Sequence, residues 1–114
     1  MRPDLSIVIP VYNEADSLPA LADEIRQAMG DAGLSFEVWL VDDGSDDGSW
    51  QVIDRIHRED ERFAGIRFRR NYGKSPALAV GFTRATGRYV ATLDADLQDD
   101  PAELPEMVER LENG

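Results

Sequence analysis

The chain has no cysteine and a single histidine, His57. Without thiols there is no disulfide, no thiolate metal site and no cysteine nucleophile. One imidazole excludes a two-histidine metal cage. Positive charge is scarce as well: 12 Lys and Arg stand against 23 Asp and Glu, a net charge of −11. A chain this acidic is a poor general partner for nucleic acid, whose phosphates are met by Lys and Arg. No apolar run approaches the ~20 residues that cross a bilayer, and the N-terminus lacks the pattern of a signal peptide. The location expected from this is cytoplasmic.

At 114 residues and 42% apolar, the chain fits one domain with one core and is too apolar to be disordered. Its acidity raises a question. An anionic ligand would need a local basic group or a bound cation to offset the repulsion.

Strand and helix signals alternate four times. Leu5 to Val11 is apolar and β-branched. Leu18, Leu21, Ala22, Ile25 and Met29 then recur at helical spacing, with Gly30 and Gly33 as stop signals. Phe36 to Val41 reads as a second strand, Asp42 to Ser49 as a polar turn, and a helix carrying Trp50, Ile53 and Ile56 runs to about Asp60. A third strand is expected over Ala64 to Arg69. Ser75 reads as the cap of a helix with Pro76 in its first position, Leu78, Gly81, Phe82 and Ala85 on its buried face, and Gly87 at its end. Arg88 to Leu93 is the fourth strand. Asp100-Pro101-Ala102-Glu103 resembles a capping box ahead of a stripe of Leu104, Met107, Val108 and Leu111. Trp39 and Trp50 are expected in the core, and His57 against its own helix.

Near-continuous apolar strands separated by helices indicate an α/β fold: a Rossmann-like, doubly wound, mainly parallel sheet covered on both faces. The polar residues gather at strand C-termini. Tyr12, Asn13 and Glu14 follow the first strand, Asp42 and Asp43 the second, Asp94 and Asp96 the fourth. Open parallel sheets bind ligands beyond these ends, where strand order reverses. With the common order 3-2-1-4, the first and fourth strands meet there, and their two clusters face one crevice.

Asp94-Ala95-Asp96 is either a solvated turn or a metal site. Two carboxylates just beyond a buried strand are costly unless paired or bound to a cation. Oxygen ligands suit Mg²⁺ or Mn²⁺, which take one or two carboxylates and complete their shell with water and substrate phosphate. An ion there would join an acidic protein to an anionic diphosphate. In Asp42-Asp43-Gly44-Ser45-Asp46-Asp47-Gly48, Asp46 or Asp47 is expected to cap the following helix, and the glycines supply turn geometry. Asp43, further beyond the strand, is the preferred acceptor for a base N–H or ribose hydroxyl. Tyr12 offers a ring for stacking and Glu14 a further acceptor. Structural readings remain open for both: Tyr12 packing on the sheet, and Glu14 facing a helix dipole.

Arg67, Arg69, Arg70 and Lys74 form the basic cluster. It serves a phosphate-bearing acceptor or, the preferred reading, forms a solvated face. Gly73-Lys74-Ser75 mimics the end of a P-loop, but Phe68 stands where that motif needs glycine. No G-x-G-x-x-G follows the first strand.

Three ordered segments carry a resemblance: Ile9-Pro10-Val11-Tyr12-Asn13-Glu14, Val41-Asp42-Asp43-Gly44-Ser45 with Asp47-Gly48, and Leu93-Asp94-Ala95-Asp96-Leu97-Gln98-Asp99. Together with Arg70-Asn71-Tyr72-Gly73-Lys74 they resemble family 2 glycosyltransferases, most closely the branch that transfers sugars to polyprenyl phosphates. The resemblance spans nearly the whole chain. It implies the nucleotide-binding half of a GT-A fold over residues 1–114, with the acceptor half absent. It implies that Pro10, Tyr12, Glu14, Val41 and Asp43 line the pocket of a UDP- or GDP-linked sugar. Asp94 and Asp96 would meet the metal and donor as catalytic residues, with Ala95 and Gln98 beside them. Lys74 is a candidate phosphate contact. Members are typically inverting enzymes, and the isolated chain is expected to be weakly active or inactive.

Other readings fit less well. A receiver domain should carry its acidic pair after the first strand and its phosphorylated Asp after the third. A D-x-D phosphatase should carry its motif after the first strand, with a long chain following. A non-catalytic nucleotide-sugar module is the remaining alternative, and an exposed sheet edge makes self-association plausible.

Overall fold

The computed structural model describes residues 2–114. Four strands, β1 (Leu5–Val11), β2 (Phe36–Asp42), β3 (Phe63–Arg67) and β4 (Tyr89–Thr92), alternate with four helices. These are α1 (Leu18–Ala32), α2 (Ser49–Glu59), α3 (Lys74–Arg84) and α4 (Leu104–Glu112), the last preceded by a 3₁₀ turn at Pro101–Glu103. All pairings are parallel, in the order β3-β2-β1-β4. The expected 3-2-1-4 order therefore holds, and β1 and β4 lie side by side with Val8 opposite Thr92.

The two faces of the sheet are covered unequally. Leu5, Ile7, Ile9 and Val11 point into the main core with Phe36, Val38, Leu40 and Phe63, against α1, α2 and α4. Each such side chain removes roughly 1.5–3 kcal/mol of apolar exposure. The other face is covered by α3. There Gly81 sits on Val8, and a Cβ on that glycine would lie 2.3 Å from Val8 Cγ1. The close approach leaves no room for a larger residue. Beyond α3, Val90 is 45% exposed, so this face is only partly covered.

Several local expectations need correction. Gly30 lies inside α1, and the helix stops at Gly33, whose left-handed φ of 66° suits a C-cap. α3 begins at Lys74 after Gly73, so Ser75 is not its cap. Its buried residues are Ala77 and Gly81, while Phe82 is exposed, because the helix lies so close to β1 that only small side chains fit beneath it. On α4, Leu104 and Val108 are buried and Leu111 is exposed. Trp39 and Trp50 are half-buried rather than central. His57 is exposed at the end of α2, and its Nδ1 lies 2.7 Å from the carbonyl oxygen of Phe63, which opens β3. No helix among the described residues is long and apolar enough to cross a membrane.

Candidate functional site

Parallel strands aim all their C-termini one way, so the polar segments after β1, β2 and β4 converge on one end of the sheet. The segments after β1 and β2 are buttoned together. Asn13 takes a left-handed φ of 54°; its N–H donates to Ser45 Oγ (2.9 Å), and its side-chain oxygen accepts from Asp46 N–H (2.9 Å). The Glu14 N–H donates to Ser49 Oγ (3.0 Å) and the Ala15 N–H to Asp47 Oδ2 (3.2 Å). Asp47 also accepts from Ser49 N–H, so it supports the start of α2 from just outside the helix, whose cap position is Gly48.

The two aspartates at the tip of β2 divide their work. Asp42 is fully buried, and its Oδ1 accepts the Ser45 N–H at 3.0 Å, closing the turn. Asp43 reaches across to the loop before α3. Its carboxylate accepts the N–H of Tyr72 (2.7 Å), the N–H of Gly73 (3.0 Å) and the Asn71 side-chain amide (3.1 Å). Gly44 makes this possible. It has φ 76°, and a Cβ there would lie 2.3 Å from the Arg70 carbonyl carbon.

The β4 loop is held from two sides. Ser17 Oγ donates to the Ala95 carbonyl at 2.5 Å and also lies 3.2 Å from a Glu14 carboxylate oxygen. Within the loop, Asp99 accepts from Asp94 N–H (2.9 Å) and Asp96 accepts from Gln98 N–H (3.1 Å). Leu97 carries a left-handed φ of 66° at the turn. The Lys74 ammonium donates to Asp94 Oδ1 at 2.8 Å. The hydrogen bond and charge of Asp94 hold that ammonium above its usual pKa range, with Asp99 and Asp96 adding to the effect.

These contacts enclose a cleft of about 280 Å³ lined by Pro10, Tyr12, Glu14, Asp43, Lys74, Asp94, Ala95 and Asp96, together with Val11, Asn71 and Gly73. Eight of the ten residues expected from sequence thus line one cavity. Val41 does not; it is fully buried in β2. Gln98 is exposed outside the cleft, and its N–H orients Asp96. Tyr12 lines the cleft and is 48% exposed. Of the basic cluster only Lys74 enters the cleft; Arg67 lies over Trp50 and Arg70 over Tyr72, at 5.7 and 5.0 Å from the ring centroids. Ser17 carried no signal in the sequence, and Asn71 and Gly73 stood out only within the resembling segment 70–74, because the partners of all three lie 28 to 78 residues away.

Among the described residues, no three His, Asp or Glu side chains gather closely enough to cage a metal ion. Two carboxylates at the mouth of an open cleft suit a different mode of binding. A hard divalent ion can take one or two protein oxygens and complete its shell with water and phosphate. The donor chemistry of Asp94 and Asp96 fits such an ion.

This architecture is that of the GT-A glycosyltransferases. The mannosyltransferase PcManGT of Pyrobaculum calidifontis, solved in complex with GDP-Man and Mn²⁺, matches 97% of this chain and 33% of its own, with a TM-score of 0.82 and 28% identity. The TarS 1–349 structure from S. aureus shares the fold, with a TM-score of 0.74 at 21% identity over 99% of this chain and 33% of that one. Residues 6–114 match the profile of Glycosyl transferase family 2, and the chain belongs to that family. Among its curated relatives are two undecaprenyl-phosphate 4-deoxy-4-formamido-L-arabinose transferases. That of Aeromonas hydrophila is 46% identical and that of Klebsiella pneumoniae 41%, each over 96% of this chain and 34% of the relative. The chain spans about a third of the length of these relatives.

Proposed function

We propose that this chain is the donor-binding part of a glycosyltransferase that moves a sugar, with inversion, from a nucleoside diphosphate to a polyprenyl phosphate. The observation that carries the reading is the single cleft shared by Tyr12, Asp43, Lys74, Asp94 and Asp96 at the tips of β1, β2 and β4. The relatives named for undecaprenyl phosphate support the acceptor class, and the GDP-Man complex of PcManGT supports the donor class.

In this reading the Tyr12 ring stacks on the base. Glu14, whose backbone N–H donates to Ser49 Oγ, turns its carboxylate to accept from a donor hydroxyl or base N–H. Asp43 holds the 71–73 loop in place as one wall of the pocket. Asp94 and Asp96 would hold Mg²⁺ or Mn²⁺, which when bound supplies Lewis-acid stabilisation of the departing diphosphate. The Lys74 ammonium adds positive charge on the same side. With a net charge of −11, such local positive charge is needed before an anionic donor can enter. The reaction belongs on the cytoplasmic face of the membrane, where a lipid phosphate would be presented to this domain.

Calorimetric titration of UDP, GDP and their sugars, with and without Mn²⁺, tests the reading. Binding should require Mn²⁺ and be lost in Asp96→Asn. Metal-independent binding that survives this substitution would overturn it.

A further inference from the structure

Lys74 is in an unusual place for a cation. It is the first residue of α3, and the N-terminus of a helix carries partial positive charge that disfavours a lysine. Helix formation therefore does not explain its position. A tertiary contact does: Nζ lies 2.8 Å from Asp94 Oδ1, across the cleft, in a pair whose side chains are 62% and 46% exposed. The backbone beneath it is fixed, because Asp43 holds the N–H groups of Tyr72 and Gly73. The four-carbon stem is the part free to move.

We propose that Lys74 and a divalent cation compete for Asp94. The ammonium serves as a stand-in counter-ion, yields the carboxylate when the metal arrives, and is then free to meet the phosphate of the donor. The inference rests on the reading of Asp94 and Asp96 as metal ligands. The ammonium takes one of the lone pairs on Asp94 Oδ1 and repels a second cation brought to the same carboxylate, so each weakens the other's hold on it. An exposed, water-screened ion pair is weak enough to be exchanged without disturbing the fold. Pairing also keeps Asp94 in the cleft while limiting repulsion among the loop's carboxylates.

The test measures Mn²⁺ alone, by loss of the free-ion electron paramagnetic resonance signal, on the 114-residue chain and three variants. Lys74→Met should bind Mn²⁺ roughly three- to fivefold more tightly than the wild type, since one competitor is removed. Arg70→Met removes the same charge from a side chain that lies over Tyr72 rather than on Asp94, and should change affinity far less. With Mn²⁺ saturating, Lys74→Met should bind a nucleoside diphosphate roughly fivefold more weakly, through loss of the freed ammonium. Thermal melting confirms that the exposed substitution leaves the fold intact.

Unchanged or weaker Mn²⁺ binding in Lys74→Met would overturn the competition, as would an equal gain in Arg70→Met. The third variant, Asp96→Asn, separates the two levels. If it loses Mn²⁺ while Lys74→Met matches the wild type, the metal site stands and the competition fails. If it binds Mn²⁺ like the wild type, the metal site itself fails and the competition with it.

Discussion

The carboxylate of Asp43 accepts the backbone N–H of Tyr72 at 2.7 Å, joining the tip of β2 to the loop that leads into α3. Asp43 is only 4% exposed, and its oxygens also take the N–H of Gly73 and the Asn71 amide. Removing it leaves several donors unpaired. Asp43→Ala is expected to cost about 2–3 kcal/mol in denaturant unfolding. Amide exchange should rise at Tyr72 and Gly73 more than in the strands. Unchanged protection at those two amides would show that the loop is held by something else.

Gly44 is the steric counterpart of that latch. Its left-handed φ and the nearby Arg70 backbone both resist a side chain. Gly44→Ala should destabilise the fold by at least about 2 kcal/mol, combining the left-handed penalty with overpacking against main chain. By contrast, Gly33→Ala keeps the positive φ but has nothing within 4 Å, so it should cost about 1–2 kcal/mol. Equal losses at the two sites would argue against the close approach at Gly44.

Asp60 offers a test by pH. Its side chain is 12% exposed and pairs with Arg62 (2.9 Å) and Arg26 (3.4 Å), linking the end of α2 to α1 and the approach to β3. The Arg62 hydrogen bond outweighs burial and, with Arg26, holds its carboxyl below the ordinary value of 3.8. A lowered folded pKa means that the contribution is complete above the unfolded value and fades as pH falls through the folded one. Asp60→Asn should therefore cost about 1 kcal/mol at neutral pH, with the difference from wild type narrowing below pH ~4. A gap that stays constant from pH 7 to pH 3 would contradict this.

Gly81 tests the packing of α3. Alanine normally improves a helix interior by about 1 kcal/mol over glycine. Here the added Cβ meets Val8 Cγ1 at 2.3 Å, on a short, branched side chain that cannot swing away. Gly81→Ala should destabilise by roughly 1–3 kcal/mol, and Val8→Ala in the same chain should recover part of the loss. Strict additivity of the two changes would mean that they do not touch.

What the sequence reveals follows from how local each feature is. β1 and β2 were legible because mostly apolar, β-branched-rich seven-residue segments, broken only by Ser6, Glu37 and Asp42, have few alternatives in a two-sided sheet. The convergence of Tyr12, Asp43 and Asp94 followed from strand order, since each stands just beyond a strand end. The helix faces were less legible. Phe82 and Leu111 fit the helical period, but the first is excluded by the close approach at Gly81, and the second lies in the last turn of α4. The supports of the site were not legible. Ser17 on Ala95, Asn13 on Ser45 and Asp43 on Gly73 are side-chain to main-chain bonds over 30 to 78 residues, and any polar residue in a loop could have made them.

If the Asp94–Asp96 pair takes the metal and donor, no other acidic surface of the chain should hold them. A second groove, lined by Asp99, Asp100, Glu103 and Glu106 together with Arg110, is the natural competitor. Paramagnetic broadening of amide resonances by Mn²⁺ with UDP or GDP distinguishes them. Broadening should centre on Tyr12, Gly73, Lys74 and Ala95, and fade before Glu106. Broadening centred on Glu103 and Glu106, with Tyr12 and Gly73 untouched, would contradict the assignment.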